Sequence, residues 1–125
     1  MRYGHLAVVS IPVQDQNHAL EFYRDRFGFE VDADAAFGDG RRWIQLSPRD
    51  GAETSIALVD WFDAMPPGGV VGLILTTDDI EAARGELLGR GVEVAEIEDT
   101  PWGRFAGFND PDGNGWSLQE PAARD

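Results

Sequence analysis

The chain has no cysteine, so neither a disulfide nor a thiolate metal site can be part of it. It also has no lysine: all ten basic residues are arginine, set against 23 aspartates and glutamates for a net charge of −13. A phosphate backbone would be repelled by such a surface, which argues against a nucleic-acid partner. An acidic body suits cationic small molecules or simple solubility. No apolar run reaches the length of a membrane span, and no charged n-region precedes an apolar stretch at the start. The expectation is a cytoplasmic protein with no membrane partner. Two common catalytic templates, Gly-x-Ser-x-Gly and the phosphate-binding glycine loop, are also missing.

What is present is a pattern written twice. The 125 residues suffice for one domain with its own core. Laying residues 13–31 over 76–94 sets Asp15 on Asp78, Ala19 on Ala82, Gly28 on Gly91 and Glu30-Val31 on Glu93-Val94. At the same offset Gly40-Arg41 meets Gly103-Arg104. A repeat of this length marks two copies of one supersecondary unit.

Each copy reads as a strand, a helix and three more strands. His5 to Val13 alternates, with Val9, Ile11 and Val13 on one face and Val8, Ser10 and Pro12 on the other. Asp15 is an N-cap, Ala19, Leu20, Tyr23 and Phe27 follow at helical spacing, and Gly28 offers a left-handed stop. Phe29–Val31, Arg42–Leu46 and Ser55–Val59 are the remaining strands of this half. In the second half Val70–Leu75 is a strand, and Asp78 or Asp79 caps a helix carrying Ile80, Ala83 and Leu87. Strands at Val92–Ile97, Arg104–Phe108 and Trp116–Gln119 complete it. The expected organisation is a single domain over 1–125, with a first module at 1–62, a linker at 63–69 containing Pro66-Pro67-Gly68-Gly69, and a second module at 70–121. Two βαβββ modules in tandem make an α+β fold, with curved sheets around a concave cavity and helices outside.

The segments IPVQDQNHALEFYRDRFGFEV, TTDDIEAARGELLGRGVEV and PWGRFAGFNDPDGNGWSLQEP, in that order over nearly the whole chain, resemble the vicinal-oxygen-chelate superfamily, the glyoxalase / bleomycin-resistance / dioxygenase group. In that family Asp110-Pro111-Asp112-Gly113-Asn114 corresponds to the tight turn between the last two strands. The same residues imitate the start of an EF-hand loop, but the twelfth place is Pro121, with Glu120 one position early, and both flanks read as strands. The turn is preferred, since Asx and Gly suit it on their own account.

The resemblance implies a divalent metal held by His, Gln or Glu from the first and last strands of each module. Position by position, these places carry Val8, Val71 or Gly72, a residue near Ser55, and Ser117. Hydroxyl and aliphatic groups do not hold a transition metal. His5 falls on the other face of its strand, His18 in the first turn of the helix, and Gln119 and Glu120 flank the last position. No metal and no cofactor are expected. Asp78-Asp79 is read as a helix N-terminus and not as an acid–base pair.

The metal-free branch that the chain resembles binds antibiotics of the bleomycin type, usually as dimers with ligand grooves between subunits. The implied function is a non-catalytic, bacterial small-molecule-binding protein that sequesters an aromatic or cationic natural product. It would act as a homodimer, with modules paired within one chain or exchanged between two. The candidate ligand-binding residues are Ser10, Trp43, Gln45, Trp61, Trp102, Phe105 and Ser117, with no catalytic residue. Ser10 and Ser117 rest on strand alternation, the others on the supply of aromatic and amide groups. Trp116 alternates against Ser117 and is read as core. Two other readings stand beside this one: a glyoxalase-like lyase or dioxygenase relative with displaced ligands, and a module that uses only its surface.

Overall fold

The computed structural model describes residues 2–122. The elements run β1 (Val8–Pro12), α1 (Gln16–Glu21, continued as a π-helical turn over Phe22–Arg26), β2 (Glu30–Ala36), β3 (Arg42–Ser47), β4 (Ser55–Val59), β5 (Leu73–Thr76), α2 (Ile80–Gly89), β6 (Glu98–Thr100), β7 (Gly103–Asn109) and β8 (Gly115–Pro121). They form two four-stranded mixed sheets, ordered β1-β4-β3-β2 and β5-β8-β7-β6. β1–β4 and β5–β8 are parallel pairs, the rest antiparallel. The two halves thus share one plan, as the repeat requires, in an α+β fold. No helix of the described residues is long and apolar enough to cross a membrane.

Asp15 caps α1 by accepting from the His18 amide at 3.1 Å. Of the two candidate caps for α2, Asp79 is the one used, accepting from Ala82 at 3.0 Å. α1 then widens: the Phe27 amide reaches back to the carbonyl of Phe22, five residues earlier. The extra residue per turn lets the consecutive Phe22 and Tyr23 both be buried. Gly28, at φ +78°, ends the helix as expected.

Two expected strands differ in extent, β1 starting at Val8 and not His5 and β5 spanning Leu73–Thr76 and not Val70–Leu75, and two others differ more. Val92–Ile97 forms no strand: its one backbone bond to the sheet is Ala95 N–H to Gly107 O, and the Val92 amide turns back to the Leu87 carbonyl. Val92 and Val94 do point into the core, so the alternation holds. The Val94 and Ala95 carbonyls are taken instead by the Arg84 guanidinium, and the strand proper starts only at Glu98. β2, expected to end at Val31, continues to Ala36 because its pairing with β3 carries it there across a bulge between Val31 and Ala33.

One core joins the halves. Among the described residues no strand of one sheet pairs with a strand of the other; contact runs through aromatic rings instead. Tyr23, Phe27 and Phe29 from the first half pack edge-on or tilted against Phe108 and Trp116 from the second, with ring centroids 4.9–6.0 Å apart. Each such pair contributes about 0.5–1.5 kcal/mol beyond its buried area. Trp116, 7% exposed, is core.

The Asp110–Asn114 turn fastens this junction. Asp110 accepts from the Tyr23 hydroxyl at 2.8 Å, from the amides of Asp112 and Asn114, and from the Asn114 side chain. Asn114 donates to the Pro12 carbonyl at 2.8 Å and accepts from Val70 N–H at 3.2 Å. Trp116 Nε1 donates to the Tyr23 oxygen at 2.9 Å. Gly68 passes so close that a Cβ there would lie 2.2 Å from the Asp112 carbonyl oxygen. The oxygens that imitate a calcium loop are therefore spent on the protein's own donors.

Candidate functional site

Opposite its core face, sheet one carries a row of matched positions: Ser10 on β1, Ala57 on β4, Gln45 on β3 and Ala33 on β2. Directly paired residues project to the same face. Three of the four are small, so the row is low and three strand spacings wide, roughly 14 Å; Ser10, Gln45 and Ala33 are half-buried, while Ala57 is covered completely by its neighbours. Ala35, paired with Trp43, extends it.

Trp43 stands at one end of this row. Its ring centroid is 6.2 Å from that of Trp61, with 35° between planes. Phe37 sets its edge against both, at 6.1 and 5.1 Å, and Phe62 adjoins Trp61 at 5.8 Å. A flat ring inserted between two others needs about 7 Å, two van der Waals contacts of roughly 3.5 Å. The Trp43–Trp61 gap is smaller, so a planar guest would stack on the outside of the pair or part it. Phe37 and Phe62, each nearly half exposed, form the rim.

The polar groups here are fixed in sequence. Trp43 Nε1 donates to Gln45 Oε1 at 3.0 Å, Gln45 Nε2 to Ser55 Oγ at 2.8 Å, and Ser55 Oγ to the Ala7 carbonyl at 3.3 Å. Among the described residues the Ser10 hydroxyl has no side-chain hydrogen bond to the protein. Nearby, Arg42 is occupied by Asp34 and Asn17; the pair with Asp34 holds that carboxyl below its ordinary range.

Sheet two offers the other part of the expected set. Ser117 lies between Ile74 and Gly107, and Phe105 between Gln119 and Glu98, all on the face away from the core. Ile74 is 56% exposed. Trp102, in the β6–β7 turn, is 74% exposed and, among the described residues, touches no other aromatic ring. Ser10, Trp43, Gln45 and Trp61 are thus together on sheet one, while Ser117, Phe105 and Trp102 belong to sheet two. No hydrogen bond or ring contact joins the groups among the described residues. Reading from composition missed Phe37, although an aromatic ring beside a glycine turn was a signal. It also missed the alanines, whose importance is only their smallness and depends on register.

The positions where a metal would be held do not fit one. Val8 and Ser55 are paired neighbours, and the residue beside Ser117 is Ile74, not Val71 or Gly72. The donor set is two hydroxyls and two aliphatic side chains, and Ser55 is already committed to Gln45. Among the described residues no three of His, Cys, Asp and Glu converge. Glu120 accepts from the Ile80 amide at the start of α2, and His18 sits beside the Asp110–Asn114 turn, over a separate polar groove.

A profile of the Glyoxalase/Bleomycin resistance protein/Dioxygenase superfamily matches residues 2–118. The chain belongs to that superfamily. The fold of this superfamily member is shared with TnmS3, an antibiotic binding protein from Streptomyces sp. CB03234, at 48% identity and a TM-score of 0.92, covering 98% of this chain and 99% of that one. A superfamily member from Sphaerobacter thermophilus DSM 20745 is 36% identical, with a TM-score of 0.86 over 96% and 99% of the two chains. The uncharacterized protein YetH of Bacillus subtilis (strain 168) is 32% identical over 92% of this chain and 97% of its own.

Proposed function

We propose that this superfamily member is a non-catalytic binding protein that sequesters a planar aromatic natural product, serving resistance or self-protection in a bacterial cytoplasm. The observation that carries the reading is the half-buried row of Ser10, Gln45 and Ala33, with the fully buried Ala57 beneath it, beside the Trp43–Trp61 pair. It offers a flat apolar surface with an aromatic wall and one free hydroxyl. It holds no nucleophile–base pair and no donor set for a metal. The likeness to an antibiotic binding protein at 48% identity supports a small-molecule ligand.

The site is completed by a second copy. Among the described residues β1 pairs only with β4 and β5 only with β8, so β1 and β5 are bare edges, as β2 and β6 are at the opposite sides of the two sheets. Val71 and Ile74, beside and on the β5 edge, are 78% and 56% exposed. A bare apolar edge is a template for another strand. Pairing β1 of one copy with β5 of another would set Ser117, Phe105 and Trp102 beside the row on sheet one, uniting the two groups of candidate residues.

Sedimentation of the purified protein tests the assembly, and tryptophan quenching by a planar aromatic antibiotic tests the binding. A dimer whose tryptophan emission saturates at one ligand per chain supports the proposal. A monomer, or emission unmoved by such compounds, counts against it.

A further inference from the structure

The hydrogen bonds around Trp43 have a direction that chemistry alone fixes. An indole nitrogen only donates, so the Gln45 atom facing Trp43 Nε1 at 3.0 Å is its carbonyl oxygen. The amide nitrogen must then be the group that faces Ser55 Oγ at 2.8 Å. Ser55 Oγ, accepting there, turns its own proton to the Ala7 carbonyl. The relay ends on backbone just before β1, and Ser55, at its centre, is 6% exposed. Trp43 has one N–H, and it is spent.

We infer that Trp43 meets its ligand with its ring face alone, and that Gln45 is the positioning residue that holds that face toward the row on sheet one. The inference rests on the ligand-binding reading of this surface. Without the relay, the indole is held only by non-directional contacts with Ala35 across the strand and with the Phe37 and Trp61 rings, none of which fixes the direction of its N–H. With the relay its plane is set before a ligand arrives, and the ordering cost is already met. The ligand class follows: a fused planar ring system, stacked on Trp43. Its polar substituents must be answered elsewhere, by groups such as the Ser10 hydroxyl, which among the described residues makes no side-chain hydrogen bond.

Acridone, a neutral planar tricycle, is the probe. In the full-length protein the Trp43 indole proton, assigned by its loss in Trp43→Phe, is followed by NMR for exchange with solvent, with and without acridone. The inference expects that proton to stay protected in the complex. Gln45→Leu should abolish the protection and weaken acridone by about three- to tenfold, the cost of immobilising a freed side chain. Gln45→Glu, whose carboxylate can accept from both Trp43 and Ser55, should restore the protection and most of the affinity.

Loss of protection on binding acridone overturns the inference, because the N–H then serves the ligand. Wild-type affinity in Gln45→Leu overturns it too. If the wild type binds no acridone while Gln45→Leu still abolishes protection, the ligand reading of the surface fails and takes the recognition claim with it, though Gln45 still holds Trp43. If the variant changes neither quantity, the relay itself is refuted.

Discussion

The side-chain amide of Asn114 donates to the carbonyl of Pro12, 102 residues earlier and in the other half of the chain. Asn114 is fully buried and has no slack: its other contacts are to Asp110 and the Val70 amide. Asn114→Ala would leave the part-buried Val70 amide without its acceptor and take one of two donors from both the Pro12 carbonyl and Asp110 Oδ2. We expect it to destabilise the fold by about 3 kcal/mol. Urea unfolding followed by tryptophan emission would measure this, with both halves lost in one transition. Separate transitions for the two halves would show that the turn does not join them.

Tyr23 carries a pH signature. Burial, reinforced by the neighbouring Asp110 carboxylate, pushes its hydroxyl far above the ordinary tyrosine range. A folded-state value above the unfolded one gives stability that is complete below the ordinary value of about 10 and drains away as the pH climbs past it. Stability should therefore fall on the alkaline side of pH 10, and more steeply in the wild type than in Tyr23→Phe. The wild-type-minus-variant absorbance should show no phenolate at pH 10.5 until the protein unfolds. Phenolate appearing in the folded state would contradict the buried network.

Trp43→Ala and Trp61→Ala should each cost about 1 kcal/mol of affinity for a planar ligand, five- to tenfold, by removing one stacking face. Phe37→Ala should act otherwise, since its edge closes the Trp43–Trp61 pair in the free protein. Opening that pair should change tryptophan emission without any ligand. Isothermal titration and fluorescence of the free proteins separate the two effects.

The edge of β5 gives a third kind of test. Ile74→Lys places a charge on an exposed apolar strand position without entering the core. It should turn dimer into monomer in sedimentation, leave the unfolding midpoint of dilute protein within about 0.5 kcal/mol, and reduce ligand binding. Unchanged dimer would move the interface elsewhere.

The sequence made the repeat, the helix caps and the core alternation readable because they depend on spacing along the chain. Asp15, Gly28 and the inward Val9, Ile11 and Val13 follow from local geometry. So does the outward side of Ser10 and Ser117. The π-helical turn after Glu21 was hidden, since it buries Phe22 beside a Tyr23 whose place is set by Trp116, far along the chain. The unpaired stretch at Val92–Ile97 was equally invisible: its apolar alternation is that of a strand, and only the reach of Arg84 to two carbonyls shows why it is not one. Of the candidate site, the tryptophans were legible as a supply of rings. Their grouping was not, because whether Trp43 meets Trp61 or Trp102 depends on which sheet each one joins. The relay through Gln45 needed both a register and a rotamer.

The central claim is binding without turnover, and one measurement addresses it directly. A planar aromatic antibiotic such as an anthracycline is incubated with the protein, first in excess and then at equal concentration, with and without added divalent metal. The mixture is denatured and the small molecule is weighed by mass spectrometry. The account predicts stoichiometric capture, recovery of the compound unaltered, and no effect of metal. A modified product exceeding the protein in amount, above all one that requires the metal, would contradict it.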